Sequence, residues 1–150
     1  MASDSDLIKL YSQRILGLAA EIPHRGRLDA PMVTVRKRAP LCGSSVTVDL
    51  DTEDGRITRF AQDVKACALG QAAAALMGKH ILGRSRAEVE ATRDALRAML
   101  KENGPLPAAP FEGYEVLEPA RDYRNRHASI LLSLEATSEA MEQAEQATCA

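Results

Sequence analysis

The chain reads as an α+β domain, a three-stranded antiparallel sheet with helices packed on one face. Three observations predict it. Near the start, apolar residues recur at three- and four-residue steps, the spacing of an amphipathic helix. Three strand-like runs then follow one another between residues 32 and 63. Beyond Cys67 the chain carries three helical segments and one proline-rich connection. Helix, three strands, then three helices is the order of a single domain whose helices cover one side of a meander.

Each element has its own grounds. Leu7, Leu10, Tyr11, Ile15 and Leu18 mark a helix from Asp6 to Glu21, capped by Asp4 or Ser5 and ended by Pro23 and Gly26. A loop with His24, Arg25 and Arg27 follows. Met32 to Arg38 is the first strand. Ser44 to Asp51 alternates, with Val46, Val48 and Leu50 on one face, and Arg56 to Asp63 carries Ile57 and Phe60. The intervening Glu53-Asp54-Gly55 is a hairpin turn signal. Cys67 to Leu82, rich in alanine, has high helix propensity. Ser85 with Glu88 three residues on forms a capping box for a helix to Glu102, stopped by Asn103-Gly104-Pro105. Pro105 to Pro119 reads as a loop, and Arg124 to about Gln143 as the last helix. The whole chain, 1–150, is expected to be one domain, with residues 1–5 and 144–150 flexible.

Composition narrows the function. The 150 residues are 45% hydrophobic and 27% charged, the balance of a globular protein with a real core. Aromatics make up 3%, there is no Trp, and net charge is −2, which argues against a nucleic-acid surface built on stacking and cations. No apolar run reaches the roughly 20 residues that cross a bilayer. The acidic start, Met1 to Asp6, is the reverse of a secretory leader, so the chain is expected in the cytoplasm with reduced thiols. Three cysteines, an odd number, argue against a disulfide framework.

Two of those cysteines sit in matching contexts. Cys42, in Ala39-Pro40-Leu41-Cys42-Gly43, precedes a strand; Cys67, in Val64-Lys65-Ala66-Cys67, precedes a helix. Thiols placed where loops meet regular elements can converge although 25 residues apart, and with His127 they make three soft ligands, a candidate metal or iron–sulfur site. A helix N-terminus and Lys65 both favour thiolate at Cys67. A free cysteine also serves as a small buried hydrophobe, and a lone histidine as a surface or capping group, so the residues alone leave both readings open. His24, in a loop, and His80, near a helix end, read as structural or exposed, and Cys149 lies outside any site. Arg36-Lys37-Arg38 forms a docking edge for an acidic partner or an exposed solvated run.

From about Leu7 to Glu135 the chain resembles the U-type iron–sulfur cluster assembly scaffolds, the IscU, SufU and NifU N-terminal domain family. The resemblance rests on Leu10-Tyr11-Ser12, Ala39-Pro40-Leu41-Cys42-Gly43, the hairpin Val46 to Phe60, Ala66-Cys67-Ala68 before a small-residue helix, and Arg126-His127-Ala128. The long stretch between Cys67 and His127 is similar to the SufU type. Two positions depart from the family pattern: Ser44 stands where the family has aspartate, and Ala128 where it has its third cysteine. The Leu-Pro-Pro-Val-Lys segment by which some IscU-type scaffolds engage a chaperone is absent before His127.

The resemblance implies a carrier rather than an enzyme. It implies a transient iron–sulfur cluster or iron, or zinc, held by Cys42, Cys67 and His127, with a cysteine desulfurase and cluster-receiving proteins as partners. It leaves two other readings: a zinc-dependent sulfurtransferase-type partner of the desulfurase, weakened by Ala128, and a degenerate binding module without chemistry. Lys65 and the arginines between 121 and 126 are expected to offset negative charge near the site.

Overall fold

A computed structural model describes residues 11–41 and 43–149. Its elements in order are helix α1 (Gln13–Ala20), strands β1 (Val33–Ala39), β2 (Ser44–Glu53) and β3 (Arg56–Lys65), helix α2 (Ala68–Gly78), helix α3 (Arg86–Glu102), a 3₁₀ helix (Glu112–Asp122) and helix α4 (Arg124–Cys149). The strands form one antiparallel sheet in the order β1-β2-β3, as the alternation predicts. Glu53 and Arg56 close the β2–β3 hairpin through Asp54 (φ 54°) and Gly55 (φ 75°), two successive left-handed residues of the kind an Asp-Gly turn supplies.

Alternation sorts the two faces of the sheet. Val33, Val35, Val46, Val48, Leu50, Phe60 and Val64 point inward and are buried. Helix α4 lies across β1 and β2, and α2 packs between α1 and α4. Helix α3 closes the far side against α4, and the capping box of Ser85 and Glu88 fixes where it starts. The middle of α2 is buried on every side: Ala72, Ala73, Ala74 and Ala75 are all inaccessible to solvent. Small side chains let neighbouring helices approach this one closely, which makes α2 the axis of the helical layer.

The outer face of the sheet carries one buried charge. Asp49 accepts hydrogen bonds from Arg27 Nε (2.7 Å) and Nη2 (3.1 Å), from Leu28 N (3.0 Å) and from Thr34 Oγ1 (2.6 Å), and these tie the 22–32 connection to β2. Burial raises the Asp49 pKa, but the bonds from Arg27, Thr34 and Leu28 outweigh it and hold the carboxyl below its ordinary value.

The strand ends shift from the sequence expectation by one or two residues, and four elements differ from it by more. Within the described residues the first helix starts at Gln13, where the Ser12 hydroxyl accepts from Ile15 N (3.3 Å); the expected cap at Asp4 or Ser5 and residues 6–10 lie outside the described residues. Helix α2 ends at Gly78, not Leu82. The expected loop to Pro119 becomes a 3₁₀ helix from Glu112, because Tyr114, Leu117 and Ala120 recur every third residue and three residues per turn stacks them on one buried face. The last helix does not stop at Gln143 but continues to Cys149. Met141 and Ala144 are buried, and Arg86 reaches Glu142 and Glu145 along this last stretch of helix.

The Asp49 network sets a pH dependence. A carboxyl with a depressed native pKa contributes stability in full above its unfolded value of about 3.9 and loses it as pH falls through the lower native value. Urea unfolding at pH 7 and pH 3 is expected to show the chain weaker at pH 3. Asp49→Asn is expected to be destabilised at pH 7 and to show a smaller change between the two.

Candidate functional site

The sulfur end of the molecule is built from three elements. The β1–β2 connection is short: Ala39 pairs with Ser44, Gly43 N donates to Ala39 O (3.0 Å), and Gly43 takes φ +72°, a conformation glycine adopts without strain. Cys42 belongs to this connection and itself lies outside the described residues. Leu41 beside it is 99% exposed. Ser44 turns inward and is buried.

Cys67 is the N-cap of α2, with extended backbone (φ −66°, ψ 170°) and no capping bond from its own side chain. Gln71 N donates to Cys67 O (2.9 Å) and Gln71 Nε2 to Ala66 O (2.9 Å), so the first turn is held by Gln71 while the thiol stays uncommitted to the backbone. The half-buried Sγ lies 3.6 Å from Ser129 Oγ on α4, and Ser129 Oγ lies 3.0 Å from Ser44 Oγ. Thiol and two hydroxyls therefore form a row from the helix start to the first residue of β2.

Gly70 makes that row possible. A Cβ at Gly70 would stand 2.4 Å from Ser129 Oγ and 2.8 Å from Ala66 Cβ. Only glycine lets the first turn of α2 sit on Ser129. Ser129 and Gly70 are the site residues that sequence reasoning missed. The available signal was a glycine inside an otherwise alanine- and leucine-rich helix three residues past Cys67, which marks a close approach.

His127 goes elsewhere. It is buried, and its Nε2 lies 2.8 Å from Ala120 O. A carbonyl can only accept, so Nε2–H donates, and in the neutral ring the lone pair is left on Nδ1. Two residues along an α-helix turn the side chain through about 200°, so His127 and Ser129 leave α4 on nearly opposite sides. The His127 side borders a depression of about 550 Å³ with Lys101, Asn103, Arg121 and Arg124. Arg121 is held there by Met99 O (2.9 Å) and Glu118 (3.4 Å), and Lys65 is on the outer face of the sheet. The structure thus joins Cys67 to Ser129 and Ser44, and the α4 side chain at the sulfur is Ser129. Among the described residues no three His, Cys, Asp or Glu side chains are grouped to hold a metal. His24 and His80 stand edge-on to Phe60 and Phe111 at 6.0 and 6.1 Å.

The geometry yields a double-mutant test. Gly70→Ala is expected to destabilise by roughly 1–3 kcal/mol through overpacking, and Ser129→Ala in the same chain to recover part of that loss, because the clashing oxygen is gone. Chemical unfolding of the two single variants and the double variant measures it. Additive losses would mean the two residues do not meet.

Comparison with known proteins places the chain. No protein-family model matches it. The crystal structure of a nitrogen-fixing NifU-like protein (N-terminal) from Brucella abortus superposes with a TM-score of 0.91 at 42% identity, covering 94% of this chain and 98% of that one. A putative iron–sulfur cluster assembly scaffold protein for the SUF system from Fervidobacterium islandicum shares the fold, with a TM-score of 0.78 at 18% identity over 89% of this chain and 98% of that one. In sequence, the iron–sulfur cluster assembly scaffold protein IscU of Thermotoga maritima is 32% identical over 80 residues, 53% of this chain and 56% of that protein's length.

Proposed function

The chain belongs to the U-type iron–sulfur cluster assembly scaffold family, and from that premise we propose that it carries a transient iron–sulfur cluster, or the iron from which one is built, on the sulfurs of Cys42 and Cys67. The observation that carries the reading is the Cys67–Ser129–Ser44 row. Ser44 lies two residues after Cys42, a span of about 7 Å at most, so the row ends within reach of the second thiol. The donor set fits the cargo: thiolates and imidazole suit iron and zinc, and not magnesium or calcium.

His127 supplies the third ligand through Nδ1, the nitrogen that keeps a lone pair while Nε2 donates to Ala120 O. That ring–carbonyl bond is the arrangement that orients a metal-binding histidine. Because the ring leaves α4 away from Ser129, ligation of a common ion requires the first turn of α4 to rotate toward Cys67. Three protein ligands leave one coordination position open, which suits a group that must enter and leave.

The resemblance puts Ser44 and Ala128 in place of the family's aspartate and third cysteine, so the outer sulfur of a desulfurase persulfide passes to the thiolate of Cys42 or Cys67 with release of the desulfurase thiolate, an external two-electron donor reduces it to sulfide, and the finished cluster passes on to receiving proteins. The same donors accept zinc. Ala128 at the position of the sulfur-accepting cysteine disfavours the zinc-dependent sulfurtransferase reading. No described helix is long and apolar enough to cross a membrane; a cytoplasmic location is part of the proposal.

Anaerobic reconstitution with ferrous iron and sulfide tests the reading. The wild-type chain is expected to develop visible absorption with iron and acid-labile sulfide bound. Cys67→Ala and Cys42→Ala are each expected to abolish it, and His127→Ala to weaken it while the two thiols remain. A wild-type chain that stays colourless, or that retains zinc and refuses iron, would sink the proposal.

A further inference from the structure

Arg36-Lys37-Arg38 reads as one basic run in sequence, but the sheet divides it. Lys37 points inward to Glu139 of α4 (3.7 Å), while Arg36 and Arg38 are exposed on the outer face. Register brings other residues to them. Arg38 pairs with Ser45 and Ser45 with Lys65, so Arg38 and Lys65 are two strand spacings apart, about 10 Å. Arg36 pairs with Thr47 and Thr47 with Asp63, a carboxylate on the same face, while Asp49, two residues along, is taken up by Arg27 and Thr34. A shallow depression of about 310 Å³ lies between Arg36, Thr47, Asp63 and Lys65. Among the described residues Arg36, Arg38 and Lys65 make no ion pair, whereas the neighbouring Arg27 is committed to Asp49. A chain of net charge −2 therefore gathers unspent positive charge at one end of one face.

At the same end, the β1–β2 connection holds Leu41 at 99% exposure, the most exposed of the large apolar side chains described. It is an apolar anchor beside a cationic patch. Leu41 adjoins Cys42, and Lys65 stands two residues before Cys67, so whatever covers this surface also abuts the sulfur end.

We propose that the outer sheet face around Arg36, Arg38 and Lys65, with Leu41 as its apolar anchor, docks a protein partner that presents an apolar socket ringed by carboxylates. Charge complementarity selects an acidic partner, and the isolated leucine selects a protein over a polyanion, because a phosphate backbone offers no socket. The inference rests on the proposed function in one respect: the probe is the partner which that reading names.

The test titrates the cysteine desulfurase of the source organism against the full chain at low and high salt. Leu41→Ser is expected to weaken binding about tenfold at both salts. The Arg36→Glu/Arg38→Glu pair is expected to weaken it at least as much at low salt and less at high salt, as screening removes the charge contribution. Lys79→Glu, exposed at the far end of α2, is expected to bind as wild type. Wild-type affinity in both surface variants overturns the inference and leaves the proposed function standing. So does a wild-type chain that builds a cluster yet does not bind the desulfurase. Loss in the arginine pair with none in Leu41→Ser overturns the protein socket in favour of a simple anion surface. Loss in both variants of a chain that fails reconstitution upholds the docking face and removes the cluster reading.

Discussion

The close contact between the first turn of α2 and Ser129 of α4 governs this molecule. It exists because Gly70 has no side chain, and the distance a Cβ would have to Ser129 Oγ, 2.4 Å, leaves no room for one. The contact sets how α2 crosses α4, and α4 in turn lies on β1 and β2. Since Cys67 caps α2, the same contact fixes where its sulfur emerges. Packing and chemistry share one constraint here: the alanines that let α2 be buried on all sides also bring its open N-terminal end to the start of β2.

The surroundings of Cys67 are neutral. Ser44 and Ser129 place two neutral hydroxyls in line with the Cys67 sulfur. Positive charge lies at the rim instead, on Arg36, Arg38 and Lys65 of the outer face, while the opposite end of the sheet carries Glu53 and Asp54 beside Glu145 of α4. A neutral sulfur pocket with a cationic rim would receive the proposed anionic cluster without the repulsion of a nearby carboxylate.

Much of the fold was legible because its signals are local. Asp54-Gly55 requires two left-handed residues and the structure has them; Ser85 and Glu88 write a capping box and both bonds form. What was not legible depends on tertiary partners. Pro119 reads as a break, yet it sits inside a 3₁₀ helix whose three-residue period buries Tyr114, Leu117 and Ala120. The last helix reads as ending near Gln143, yet it runs on to Cys149, where Ala144 meets the core and Arg86 pairs with Glu145. At the site, Cys67 at a helix start was legible from its context, but Ser129 was not: a serine two residues past His127 carries no signal until helical phase turns it to the thiol.

The claim on which the account stands is that the Cys67 sulfur binds iron. Iron-edge X-ray absorption on the chain loaded anaerobically with ferrous iron, and no added sulfide, reads this directly, since any sulfur neighbour must then come from the protein. Sulfur is expected in the first shell of the wild-type iron and less of it in Cys67→Ala. A wild-type shell of oxygen and nitrogen alone, or identical spectra for the two chains, would contradict it.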